Sequence, residues 1–141
     1  MTDRAFLDTN ILVYAIDETE SEKRDTARLL LGSAEPGELV LSTQVLSEFY
    51  TVVTRKLAEP IPEATAAAVV DLLALNPVVP NDATLVKAAI QTSRSSQLSY
   101  WDGLIVASAA ASGCERLLTE DLNDGQLIGS VRVENPFRAD S

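Results

Sequence analysis

Short apolar runs alternate with amphipathic stretches along this chain. Arg4-Ala5-Phe6-Leu7 is apolar and stops at Asp8-Thr9-Asn10, which predicts a buried strand ending at Leu7 or Asp8. Residues 11–16 resume as a short helix, and 17–22 form an acidic loop. A second helix is expected from about 21 to 31, with Ala27, Leu30 and Leu31 on one side, before a turn at 32–38 that holds Pro36 and Gly37. Leu39-Val40-Leu41-Ser42 reads as a second strand feeding a helix over 43–57, whose apolar stripe is Val45, Phe49, Val52 and Val53. Pro60 breaks the chain, and Pro62 at a first helical turn opens another helix to 75. Val78-Val79-Pro80 is a third brief strand, and Asp82 caps a helix to about 94.

Ser99-Tyr100-Trp101-Asp102-Gly103 opens a further helix. Ser99 and Asp102 have capping-box spacing, and Gly113 is a C-terminal stop. The small residues of this helix allow it to lie close against a sheet or another helix. Arg116-Leu117-Leu118-Thr119 and Val131-Arg132-Val133-Glu134 are the fourth and fifth strands. Short apolar strands alternating with helices predict a single α/β domain over residues 1–141, with a parallel central sheet of about five short strands flanked by helices.

Composition narrows the class. The chain has 141 residues, 46% of them hydrophobic, enough for one domain with a real core. Its mean hydropathy is +0.09, and its longest weakly polar run, 103–113, is well short of the roughly 20 residues that span a bilayer. No membrane association is expected. The start lacks a basic segment followed by an apolar one, and the single cysteine, Cys114, forms no internal disulfide; both lead to the expectation of a reducing cytoplasm.

The net charge is −10 with a pI near 4.3, which argues against nucleic-acid binding through a broad basic surface. It leaves room for a nuclease, because bound divalent cations reverse the sign locally. It also suits a basic protein partner. The chain has no histidine, so histidine general bases, Ser-His and Cys-His nucleophiles and imidazole-bound zinc are excluded. A metal here would have oxygen ligands, which favours Mg²⁺ or Mn²⁺.

Four acids invite that chemistry. Ligands of open α/β sheets bind outside the carboxyl ends of the strands; Asp8 closes the first strand and Asp121 follows the fourth by two residues. Glu48 lies three residues after Val45 and four before Val52, on the apolar face of its helix, where an unpaired carboxylate is costly. Asp102 sits in the first turn of its helix. Each acid has a plainer reading alone: Asp8 as a helix cap, Glu48 at the margin of its stripe, Asp102 as a good third helical residue, and 120–125 as a solvated turn. Taken together they match the several carboxylates that two-metal phosphoryl chemistry gathers around ions roughly 3.5–4 Å apart.

Asp8-Thr9-Asn10, Ser47-Glu48-Phe49, Tyr100-Trp101-Asp102 and Thr119-Glu120-Asp121-Leu122-Asn123-Asp124-Gly125 resemble, in order, the acidic motifs of the PIN-domain nucleases, and within them the VapC-type toxin ribonucleases. Asn135-Pro136-Phe137 is similar to that group as well. The resemblance implies a Mg²⁺- or Mn²⁺-dependent endoribonuclease that hydrolyses RNA with a metal-activated water. It implies inhibition by a VapB-type antitoxin, and a homodimer. It puts Asp8, Glu48, Asp102 and Asp121 at the catalytic and metal-binding positions, with Asp124 the alternative last acid and Asn10 and Thr119 in support. Two other readings compete. A receiver-type phosphoacceptor domain is also α/β with acids at strand ends, but it needs a lysine after a late strand, and here Glu120 follows Leu117-Leu118-Thr119. An inactive PIN-like binding module is the other.

Overall fold

The computed structural model describes residues 4–138. Its sheet contains β1 (Ala5–Leu7), β2 (Leu39–Ser42), β3 (Val78–Val79), β4 (Arg116–Leu118), β5 (Leu127–Ile128) and β6 (Val131–Glu134), in the spatial order β3-β2-β1-β4-β6-β5. All neighbouring pairs are parallel except β5 with β6. Helices α1 (Thr9–Ile16), α2 (Ser21–Ser33), α3 (Thr43–Arg55), α4 (Glu63–Leu73), α5 (Ala83–Ser96) and α6 (Tyr100–Ala111) make the connections.

β1 is central, and every residue in it is buried, as expected of a parallel strand covered on both faces. Phe6 and Leu7 pack with Ile11, Leu12, Val45, Phe49, Leu117 and Val133 in the main core. The helix starts follow local chemistry. The side chains of Ser42, Asp82 and Ser99 accept hydrogen bonds from the backbone amides of Val45, Leu85 and Asp102, capping α3, α5 and α6. Past the end of α6, Gly113 takes a φ of +76°, which glycine adopts without a side-chain penalty.

Two expectations need correction. The sheet has six strands, not about five, and one is antiparallel. β5 is two residues long, too short to show a period, and it is paired through a Gly129-Ser130 hairpin turn. That dipeptide is the signal that could have found it. The helix after Asp8 begins at Thr9 rather than at residue 11, because Asp8 itself is its N-cap.

The sequence of strands places a switch point between β1 and β4. From β1 the chain moves to β2 on one side and later returns to β4 on the other. The crevice outside the carboxyl ends at such a point is where open α/β sheets bind ligands. α6 is held against α5 beside that crevice. A Cβ on Gly103 would stand 2.8 Å from the Ala89 carbonyl oxygen and 2.9 Å from Ser93 Cβ, so only glycine permits this approach.

Candidate active site

A cleft of about 600 Å³ opens at the carboxyl ends of β1 and β4. Asp8, Glu48, Asp102 and Asp121 all line it, although they lie as much as 113 positions apart (121 − 8). Asp124 does not. Its carboxylate accepts hydrogen bonds from the Asn135 amide at 2.9 Å and from Arg138 at 3.2 Å, and it holds the C-terminal turn.

One wall is a network of hydrogen bonds. Thr119 Oγ1 donates to Asp8 Oδ2 at 2.8 Å and accepts from Asn10 Nδ2 at 3.1 Å and from the Asp121 amide at 3.1 Å. Asn10 Nδ2 also donates to Asp121 Oδ2 at 3.1 Å. Asp8 Oδ1 accepts from the Thr9 amide at 2.7 Å. Behind this wall, Glu120 turns away from the cleft. It accepts hydrogen bonds from Tyr14 and Lys23, and Phe137 packs edge-on against Tyr14 with ring centroids 4.9 Å apart. This cluster ties the loop after β4 to α1, α2 and the C-terminal turn.

The other wall is sparsely bonded. Glu48 accepts one hydrogen bond, from Thr9 Oγ1 at 2.8 Å. Among the described residues, the Asp102 carboxylate accepts none, although Ser99 Oγ accepts from the Asp102 amide at 3.1 Å. Trp101, 60% exposed, stands beside it. Glu48 is exposed, against the expectation that it shares the buried face of α3. Val45, Phe49 and Val53 fill that face, and Glu48 lies at its margin facing the cleft.

The costly buried carboxylate is instead Asp8, only 7% exposed. Burial raises its pKa to about 6, against the lowering effect of the Thr119 and Thr9 hydrogen bonds and with further raising by the charges of Asp121 and Glu48. Among the described residues, none of the four acids forms an ion pair. A buried carboxylate facing other acids without a cation is a donor set suited to a hard divalent ion. No three acids among the described residues are arranged to hold an ion directly. The residues still fit Mg²⁺, which keeps several of its waters and needs only one or two direct carboxylates.

The model of the PIN domain matches residues 5–123. The chain belongs to the PIN-domain family. The match covers β1 through the loop after β4, and so includes every acid of the cleft and removes the receiver reading. No curated protein matches the sequence. Among solved structures, this PIN domain is similar to one in a toxin–antitoxin complex from Klebsiella pneumoniae, at 19% identity over 94% of this chain and 97% of that one, with a TM-score of 0.71. It is similar to Mycobacterium tuberculosis VapC20, described as a Sarcin-Ricin loop cleaving toxin, at 24% identity over 80% and 86% with a TM-score of 0.65. It is also similar to FitAcB from Neisseria gonorrhoeae, at 20% identity over 96% and 99% with a TM-score of 0.68. These likenesses establish a shared fold.

Sequence reasoning missed two polar residues. Thr9 joins Glu48 to the α1 side of the cleft, and it sits between Asp8 and Asn10 in a motif whose acid drew the attention. Gln44 lines the cleft with its Oε1 buried and without a hydrogen-bond partner. Its position one helical turn before Glu48 was the available signal. Among the described residues, no helix is long and apolar enough to cross a membrane.

Proposed function

We propose that this PIN domain is a Mg²⁺-dependent endoribonuclease, with Mn²⁺ able to substitute, and the toxin of a toxin–antitoxin pair. The observation that carries the reading is a histidine-free acidic cleft at the switch point of a PIN-family sheet, in which buried Asp8 shares the lining with Glu48, Asp102 and Asp121 and, among the described residues, pairs with no lysine or arginine. Its structural neighbours, a toxin–antitoxin complex and a Sarcin-Ricin loop cleaving toxin, point the same way.

Asp8, Glu48, Asp102 and Asp121 would hold the metal. When bound, it supplies an activated water and charge stabilisation at the phosphodiester. Asp8 must be ionised to take part, and Thr119 and the Thr9 amide hold its oxygens in place. Asn10 fixes Asp121. Asp102 and Glu48 face the open side, where the RNA backbone enters. Attack by water needs no 2′-hydroxyl, so products carry 5′-phosphate and 3′-hydroxyl ends.

The net charge of −10 suits a basic inhibitor. A VapB-type antitoxin would set an arginine or lysine among the four acids in competition with metal, and lay an apolar segment between helices. The toxin would act as a homodimer in the cytoplasm.

The test is incubation of the purified protein with RNA in Mg²⁺, Mn²⁺ or chelator, followed by sequencing of the 5′ ends. Metal-dependent cleavage leaving 5′-phosphates is the expected result. Products with 2′,3′-cyclic phosphate, or activity that persists in chelator, would overturn the mechanism.

A further inference from the structure

The sparsely bonded wall of the cleft continues into a side pocket of about 320 Å³, lined by Gln44, Ser47, Glu48, Asn81 and Trp101. Trp101 is the chain's single tryptophan and is 60% exposed. It is held in place nonetheless. Its ring meets Tyr100 edge to face, at 5.0 Å between centroids and an interplanar angle of 74°. Its backbone belongs to the first turn of α6, capped by Ser99 and seated on α5 through Gly103. Gln44 lines the same pocket, and among the described residues its Oε1 is buried with no hydrogen-bond partner. An acceptor that has lost water without gaining a donor is unfavourable, and a ligand that supplies the donor recovers that loss. An exposed tryptophan alone signals little. A braced aromatic face beside an unsatisfied amide, one helical turn from an acid of the cleft, has the two parts of a nucleobase site: a stacking surface and an edge reader.

The charge of the protein favours the same conclusion. With 21 acids against 11 bases, and Lys56 as the basic residue in the cleft lining, the site offers little positive charge to track a phosphate backbone. Stacking on a neutral π-face needs no such charge. We propose that Trp101 and Gln44, with Asn81 at the rim, form a base subsite of the RNA substrate. The base next to the scissile phosphodiester stacks on the Trp101 indole with its N–H edge toward Gln44, whose Oε1 accepts once the amide turns out of its buried position. The inference rests on the ribonuclease reading and adds to it a specificity-determining pair.

The single tryptophan makes the test direct. Its fluorescence is titrated with hexaribonucleotides of each base, and with an abasic ribose-phosphate hexamer, in millimolar Ca²⁺ and again in Mg²⁺. Saturable quenching by base-bearing hexamers and none by the abasic one is expected. In parallel, Trp101→Ala should lower kcat/KM for RNA cleavage by roughly 5- to 150-fold, the range of one lost base stack. Trp101→Phe, which keeps a smaller stacking face, should recover part of the loss seen in Trp101→Ala, and Gln44→Ala should redistribute the cleavage positions seen by 5′-end sequencing. Equal quenching by the abasic hexamer, or none by any hexamer, overturns the subsite. So does a Trp101→Ala variant that cleaves the same positions at the same rate, including one that only weakens a protein inhibitor. Those results leave the ribonuclease reading standing. Base-dependent quenching by a wild type that cleaves no RNA does the reverse: the subsite holds and the nuclease falls.

Discussion

The two walls of the cleft are built on different principles. On the β1–β4 wall, Asp8, Asn10, Thr119 and Asp121 share four hydrogen bonds among themselves, and Asp8 and Thr119 are buried. On the α3–α6 wall, Glu48, Asp102, Trp101 and Gln44 have one side-chain hydrogen bond to the opposite side, and two of them are exposed. The first wall is fixed before anything binds, at an energetic cost concentrated on Asp8. The second leaves Glu48 and Trp101 exposed and the Asp102 carboxylate, among the described residues, without a hydrogen bond. On the proposed ribonuclease reading, the two tasks are divided in this way: preorganisation at one wall, adaptable contact at the other.

The largest test of this contrast is activity. Asp8→Asn and Asp102→Asn should each lower RNA cleavage by roughly two to three orders of magnitude, the scale of removing one electrostatic group from a reacting centre. Their stabilities should move in opposite directions. Removing the buried charge of Asp8 in chelator at pH 7 should raise stability, because its ionisation is opposed by burial. Removing Asp102 should lower it slightly, by about 0.3–1 kcal/mol, as a negative charge leaves a helix start. Melting curves of both variants, with chelator and with Mg²⁺, check this. Two variants that shift in the same direction would erase the difference between the walls.

The pH dependence follows from Asp8. Its pKa is raised in the folded state from 3.8 to about 6, so the neutral form is the one that folding favours. The stability it contributes is fully present below pH 3.8 and is lost as pH rises through about 6. The loss is about 3 kcal/mol, from a shift of roughly two pKa units. Comparing wild type with Asp8→Asn by denaturant unfolding in chelator between pH 4 and 7 isolates this contribution, and a constant difference would contradict it. Metal needs the ionised carboxylate, so cleavage should rise with pH through the same interval.

Thr119→Val keeps the side-chain shape and removes the hydroxyl on which the fixed wall converges. Asp8 then loses a hydrogen bond while remaining buried, which costs about 1–3 kcal/mol at pH 7, and metal affinity measured by activity titration should fall roughly 10- to 100-fold. Gly103→Ala should cost a similar 1–3 kcal/mol, since the added carbon meets the Ala89 backbone carbonyl, which cannot rotate away. The smallest effect belongs to the open wall. Glu48→Gln should change stability by less than about 0.5 kcal/mol, because Glu48 is exposed, while still impairing cleavage.

Much of the framework was legible in the chain alone, wherever the deciding interaction is local. Asp82 and Ser99 cap their helices through an amide three residues on, and Gly113 stops α6 by its own backbone freedom. The apolar runs at Ala5–Leu7, Leu39–Ser42 and Arg116–Leu118 became strands, because a run buried on both faces is a pattern of the segment itself. The absence of histidine excluded imidazole ligands and histidine bases before any geometry was known. What tertiary structure decided was everything that depends on residues distant in sequence. Glu48 and Asp8 could not be ranked by burial from the chain, since Glu48 stands at the edge of a helical stripe and Asp8 lies beneath a threonine 111 residues away. Asp121 and Asp124 differ by three positions in one polar turn, and only the pairing of Asp124 with Asn135 and Arg138 separates them. The unpartnered oxygen of Gln44 has no signature in sequence, because a missing partner is a property of the whole surroundings. Spacing along a chain reports one helical turn or one strand, whereas the balance of burial and hydrogen bonding at a site is set where distant segments meet.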